Sequence, residues 1–535
     1  MKNCIRPLFC AALLFVAACS NDVADTTSVL NRGLSADPET LDPNKFSTVP
    51  AAHVLRDVGE GLLGYSPTGE LVAGAAESWD ISEDGLTYSF TIRKSARWSN
   101  GDPVLAEHFA FSLRRLVSPD SGAFYAQMLE PIVNAGPIVA GEKAPAELGV
   151  DAKDERTLVI RLEQPTPYLL SLLTYPATFP VHPGPIAEHG ESFARAGAML
   201  SNGAYVLESW EPGSLLHLVR NEHYWDNAAT AIDEVKYHVL PQPMSELNRY
   251  RAGELHVTQG VPPDSFAQLR EERPGELRVA PSLGVYYYGF NMTKALFRDN
   301  PDIRRALSMA VDRETLVTNI TGRGEAPAYG WVPAGVSNYE PRQFSYASMT
   351  QDERNAIASR IMREAGFGPD NPLQIELRYN TSDIEQRIAL AVQSMWREVL
   401  GVETTLINEE FRVLVANIIA RDVTQVFRMN WRGDYNDAHT FLGVMEADNS
   451  SNLPGYASEI YDEMMQRAER QVDPDRRRLF LEEAERVLLS DHPVIPLYFY
   501  VSKHLVSPEV RGWGDNVLDY HYSRHLSLAE TSANP

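Results

Sequence analysis

Val285-Tyr286-Tyr287-Tyr288-Gly289-Phe290 and Val494-Ile495-Pro496-Leu497-Tyr498-Phe499-Tyr500-Val501 are the two runs on which the architecture turns. Both are apolar, rich in aromatic residues and of strand length, and some 200 residues separate them. The intervening stretch has helices and strands of its own. Such a pair suits a chain that crosses into a second lobe and later returns. It equally suits two ordinary core strands, and periodicity alone does not choose between them.

Outward from these runs, strand-like and helix-like patterns alternate from Gly33 onward without a low-complexity linker. Thr87 to Arg93 (TYSFTIR) and Arg156 to Leu162 (RTLVIRL) alternate polar and apolar residues, the mark of a half-buried strand. Residues 107–117, 303–317, 386–400 and 475–489 place apolar side chains at helical spacing. Residues 423–427 read as a strand and 440–445 as a short helix, with the turn composition Gly433-Asp434-Tyr435-Asn436-Asp437 between them. Mixed α/β lobes are expected, at least two of them for 535 residues.

The amino terminus reads as an export signal. Lys2 and Arg6 precede an apolar run, Pro7 to Ala18, too short to span a bilayer. Val16-Ala17-Ala18-Cys19 has the pattern of a lipoprotein cleavage site, which makes Cys19 the expected lipidated first residue and 1–18 the signal peptide. Acyl chains contribute about 0.8 kcal/mol per buried methylene, so more than one of them anchors a protein stably. Residues 19–32, polar and aperiodic at first, read as the lipid-bearing tether. Cys4, Cys10 and Cys19 are the only cysteines, which leaves the mature chain no disulfide. Losing Lys2 and Arg6 leaves 46 basic against 72 acidic residues, a net −26 that disfavours nucleic acid.

Catalytic and metal signatures are lacking. His108, His223 and His439 have no second His or Cys at ligand spacing, and neither a phosphate-binding glycine loop nor a nucleophile elbow occurs. No enzyme activity, cofactor or metal is expected. Arg428-Met429-Asn430-Trp431-Arg432-Gly433-Asp434 is dense in binding-type residues, and a carboxylate at a strand end lies where α/β proteins hold ligands. By composition alone the better reading is a polar turn capping the next helix, 440–445.

Several ordered blocks resemble the oligopeptide- and dipeptide-binding proteins of ABC importers over nearly the whole chain. They are Pro38 to Pro43 (PETLDP), Leu71 to Trp79 (LVAGAAESW), Phe90 to Arg93 with Arg97 to Gly101, Gly284 to Asn291, Ile303 to Arg313 and Ala328 to Gly330. Trp431-Arg432-Gly433-Asp434-Tyr435-Asn436 is most similar to the oligopeptide-binding branch. The resemblance implies an α/β, periplasmic-binding-protein-like fold whose two lobes are joined by hinge strands, with an extra inserted domain. Domain I would be discontinuous (33–59, 186–285 and 502–535), domain II would span 60–185 and domain III 286–501. It implies an extended short peptide in the cleft, Asp434 pairing with its α-ammonium, and main-chain groups of Asn430, Trp431 and Arg432, with those of Ser47, Thr48 and Val49, lying along it. Tyr125 and Tyr500 would line the cleft, Trp431 and Phe411 its side-chain pockets, and Arg428 would be available to a ligand carboxylate.

Departures from the family pattern accompany the resemblance. Glu385 replaces a histidine used for a peptide carboxyl end and would repel one nearby. An arginine expected after Phe411 is out of register, Arg421 being nearest. Arg432 occupies a position that is uncharged in relatives. The implied partners are short peptides with a free amino terminus and the permease subunits of an importer, with a monomer held to the membrane through lipid only. A murein-derived peptide or other solute, a peptide sensor and, from another class, a peptide hydrolase are the alternatives.

Overall fold

The computed structural model describes residues 27–529 apart from Pro369 and Val423. The signal segment and Cys19 lie outside the described residues. Buried side chains gather into two large cores. One is built wholly from residues between Leu283 and Val517. The other runs from Leu30 to Val257 and takes in Val506, Val510 and Leu526 near the far end of the chain. Leu247, Tyr250, Phe266, Leu269, Leu277 and Leu505 form part of a small third cluster. Because the start and the end of the chain share one core, the second lobe is carried on a long excursion from the first.

That excursion leaves and returns on adjacent strands. The long strand Leu277–Phe290 lies antiparallel beside Val494–Leu505, pairing Leu277 with Leu505 at one end and Gly289 with Val494 at the other. A register slip between Pro281 and Val285 divides the pair into two stretches. A slip of this kind bends and twists a ribbon locally. The two aromatic runs are therefore both core strands and crossings. Gly284 sits at the division, where a Cβ would stand 2.9 Å from the Tyr500 ring, so only glycine lets the strands approach this closely.

The second lobe is centred on a six-stranded mixed sheet, ordered Ala326–Pro327, Val494–Leu505, Leu277–Phe290, Val426–Arg432, Gln374–Asn380, Glu403–Glu409. Amphipathic helices Asp383–Leu400 and Pro474–Asp491 supply its core with Trp396, Val392, Leu481 and Leu488. The first lobe has two four-stranded sheets. One joins Val29–Leu34 in parallel to Glu234–Val239 and continues through Leu215–Arg220 to Tyr205–Glu211. The other is antiparallel, with Ala76–Ile81, Thr87–Ile92, Thr157–Arg161 and Val150–Ala152 in that order. Among the described residues no helix is long and apolar enough to cross a membrane.

Three local expectations need correction. The tether ends before residue 32, since Val29–Leu34 is already a strand with Leu30 and Leu34 buried. The single helix expected over 303–317 is broken after Pro301–Met309, where Asp312 accepts the Thr315 N–H at 3.0 Å and starts a new turn. The break also lets the fully buried Arg313 donate to the carbonyls of Ala328 and Pro496, both at 2.8 Å. Finally, the strand expected at 423–427 is Val426–Arg432, because Phe290 to Gly284 pair with that whole stretch. Tertiary pairing outweighs the local polarity of Arg428, Asn430 and Arg432.

Candidate functional site

Between the lobes lies a cavity of about 760 Å³, lined on one side by Phe124, Tyr125, Tyr168, Leu172 and Tyr175 and on the other by Gly433, Asp434 and Tyr435, with Tyr520 between. The volume falls within the roughly 300–1,000 Å³ usual for sites holding small ligands.

The wall that presents Asp434 is braced from behind. Asp434 N–H donates to Thr440 Oγ1 at 3.0 Å, and Asn436 exchanges bonds with Ser337, receiving its N–H at 3.0 Å and donating to its hydroxyl at 2.8 Å. Asp437 receives both guanidinium nitrogens of Arg477 at 2.7 and 2.8 Å. With its neighbours committed, the turn leaves the Asp434 carboxylate toward the cavity, and among the described residues it has neither an ion-pair nor a hydrogen-bond partner. Asp434 is solvent-exposed in the cavity wall, and crowding by the surrounding protein pushes its carboxyl above the ordinary aspartate value. A partly desolvated, unpaired anion of this kind is complementary to an incoming cation.

The strand leading into that turn has an open edge. Val426–Arg432 pairs along its full length with Gly284 to Phe290, but on its other side only Val426 and Phe427 meet Gln374–Asn380. From Arg428 to Arg432 that edge has no strand partner among the described residues, so an extended chain could pair there, as in β-strand addition. Asn430 and Trp431 are half-buried on it, and Trp431 donates its indole N–H to the Thr440 carbonyl at 2.7 Å. Arg432 is exposed, with its guanidinium 4.3 Å from the Tyr500 ring centre and no acidic partner among the described residues.

The structure redraws the environment of Arg428 and Glu385. Arg428 is not an available cation: it is 7% exposed and bonded to Glu385 at 2.9 Å. Nor is Glu385 a repelling surface charge, since it is buried and its second oxygen accepts the Tyr286 hydroxyl. The guanidinium also lies over the Tyr286 ring at 4.8 Å. The departure at Glu385 and the family-matching Arg428 thus neutralise each other. Sequence reading could not find this, because the partners come from a helix and a strand about 40 residues apart.

On the facing lobe, Tyr125 lines the cavity, its ring 4.8 Å from Tyr175 and its hydroxyl 3.4 Å from the Ser47 carbonyl. Ser47 and Thr48 depart from expectation. Their main-chain N–H groups and hydroxyls are taken by the Glu39 carboxylate, with Thr48 N–H at 3.0 Å and Ser47 Oγ at 3.1 Å. Burial would raise the Glu39 carboxyl, but these bonds outweigh it and hold it below the ordinary value. Val49 opens the helix Val49–Val58 and is 64% exposed. Phe411 begins the helix Phe411–Ala420, is 46% exposed and is not part of the cavity lining. Arg421 is turned to the loop beyond, donating to the Asn452 carbonyl at 2.6 Å. Sequence reading missed Tyr168, which stacks across the cleft on Tyr435 and His439 at 4.8 and 4.5 Å; a lone tyrosine in a loop gives no signal of this.

Two lobes, paired crossing strands and a lined interlobe cavity with the unpaired Asp434 carboxylate in its wall define a solute-binding protein that holds its ligand between lobes. More narrowly, the chain belongs to the bacterial extracellular solute-binding proteins, family 5, whose model matches residues 70–452. This is a family of binding proteins, not of enzymes. The periplasmic oligopeptide-binding protein OppA of Escherichia coli (strain K12) is 35% identical over 508 residues, covering 94% of this chain and 93% of the relative. Among solved structures, the unliganded open form of the periplasmic murein tripeptide binding protein MppA superposes with a TM-score of 0.89 at 35% identity, covering 94% of this chain and 98% of that one. Haemophilus influenzae OppA in complex with RPPGFSPFR gives 0.71 at 34% identity, covering 95% and 100%.

Proposed function

We propose that this protein captures short peptides outside the cytoplasmic membrane and delivers them to an ABC importer, with Asp434 pairing to the free α-ammonium of the ligand. The observation that carries the reading is that carboxylate, exposed to the interlobe cavity without a protein partner, at the end of an open strand edge. The edge from Arg428 to Arg432 supplies sequence-independent main-chain pairing, and the aromatic walls take side chains. Limits of 33–59, 186–285 and 502–535 for domain I, 60–185 for domain II and 286–501 for domain III belong to the same proposal, as does lipidation at Cys19 holding a monomer at the membrane. Titration calorimetry on protein carrying Cys19→Ser tests it. Tri- to pentapeptides with free amino termini bind, and N-acetylation weakens them by several kcal/mol, since one member of a desolvated ion pair is then left alone. Equal affinity for free and acetylated peptides would falsify the role of Asp434.

One further observation favours a second reading. Arg432 is an exposed cation two residues from Asp434, so a ligand bearing an extra carboxylate near its amino end, as a murein-type peptide does, gains a partner there. Mass spectrometry of ligand released from natively purified protein separates the two readings.

A further inference from the structure

Behind the wall that carries Asp434, three chain segments bring together the imidazole of His439 and the carboxylates of Glu446 and Glu469, with one ligand-type atom from each within 4.8 Å of the others. We propose that His439 Nε2, Glu446 and Glu469 bind a divalent transition-metal ion, with Zn²⁺ as the natural probe.

His439 Nε2 is fully buried, accepts or donates no hydrogen bond among the described residues, and points toward Glu469 Oε1 3.5 Å away. Two ligands of a tetrahedral zinc at about 2.0–2.1 Å stand roughly 3.4 Å apart, so this pair already has the spacing of one tetrahedral edge. A Glu446 carboxylate oxygen lies within 4.8 Å of the ligand atoms of the other two. The other ring nitrogen is also in place: His439 Nδ1 lies 2.9 Å from the Tyr435 hydroxyl, which serves as the oxygen that metal-bound histidines use to fix tautomer and orientation. Gly443 leaves the imidazole its room, since a Cβ there would stand 3.1 Å from the ring.

An ion pair between an imidazolium and Glu469 does not account for Glu446, which has no basic partner within ion-pair distance among the described residues. A single positive ring answers one of the two carboxylates, whereas a dication answers both. The other close group of this kind, His504, Asp519 and His521, is internally satisfied: His504 uses one nitrogen on the Thr258 carbonyl at 2.9 Å and the other on Asp519 at 2.7 Å. His439 combines two carboxylates with nitrogen, a donor set that suits zinc and its neighbours better than calcium or magnesium.

Equilibrium dialysis of the whole chain against Zn²⁺, with its three cysteines changed to serine so that no thiolate competes, is the test. One saturable equivalent is expected, and Co²⁺ in its place should give the visible spectrum of tetrahedral coordination. His439→Ala and Glu446→Gln each weaken binding by more than about 100-fold, and Tyr435→Phe, which removes only the supporting oxygen, by about 10–100-fold. His521→Ala leaves it unchanged. Circular dichroism melts without metal establish that each variant is folded, and Glu446→Gln, at a half-buried site, carries the test if His439→Ala is not. Absence of saturable binding, or binding that persists unchanged in folded Glu446→Gln, overturns the proposal.

Discussion

Asp434 is kept without a partner while its neighbours Asn436 and Asp437 are fully engaged, and this division of labour has a pH signature. Crowding by the surrounding protein raises its carboxyl above the ordinary 3.8. A bound ammonium stabilises the charged form, so the value falls on binding and the complex forms with the carboxylate ionised. Affinity is therefore fully present above the raised value of the free protein and is lost as pH drops through it, by about tenfold per unit below. The loss sets in at higher pH than an ordinary aspartate would give. Calorimetry between pH 3.5 and 7 with a carboxyl-amidated peptide, which removes titration of the other end, measures this. In Asp434→Asn the acid limb should be absent and the affinity low throughout; an acid limb that survives that change assigns the effect to another group.

Between elements, the Arg428–Glu385 bond joins the strand Val426–Arg432 to the first turn of the helix Asp383–Leu400. Both side chains are under 10% exposed. Removing one leaves a buried charge alone, so Glu385→Ala should cost about 3–5 kcal/mol in denaturant unfolding followed by fluorescence. A loss under 1 kcal/mol would mean that solvent reaches Arg428 freely. The same pair marks where sequence reading stops. Helices 386–400 and 475–489 and the alternating strands at Thr87 and Arg156 are legible because their periodicity and their packing demand the same residues. The strand at Val426–Arg432 is not, for its polar residues follow a partner 140 residues earlier in the chain rather than a local preference. Asp434 was legible through its motif and turn composition. The cancellation of Arg428 by Glu385, the stacking of Tyr168 on His439 and the approach of Glu469 to His439 arise only from long-range approach, while the grip of Glu39 on Ser47 and Thr48 is set in an irregular loop with no periodic signal.

At the scale of the whole molecule, the lobes are connected through two paired crossing strands. Relatives of nearly equal identity match very differently: 0.89 for an unliganded open form against 0.71 for a peptide complex, at almost the same coverage. The chain thus superposes better on the unliganded open form than on the peptide complex. The pairing of the two crossing strands is interrupted between Pro281 and Val285, and hinge closure between lobes is a known switching mode. A peptide gripped by Asp434 and the open strand edge on one lobe, and by the aromatic wall around Tyr125 on the other, favours lobes that are close together. A ligand shifts such an equilibrium only by its difference in affinity for the two states. Small-angle scattering should therefore show the radius of gyration falling, on saturation with peptide, toward the roughly 24 Å expected for a compact chain of this length. Asp434→Ala should hold the larger radius at the same peptide concentration. If calorimetry reports binding to the unaltered protein while its radius stays fixed, the ligand is held by one lobe alone, and the crossing strands are rigid connections rather than a hinge.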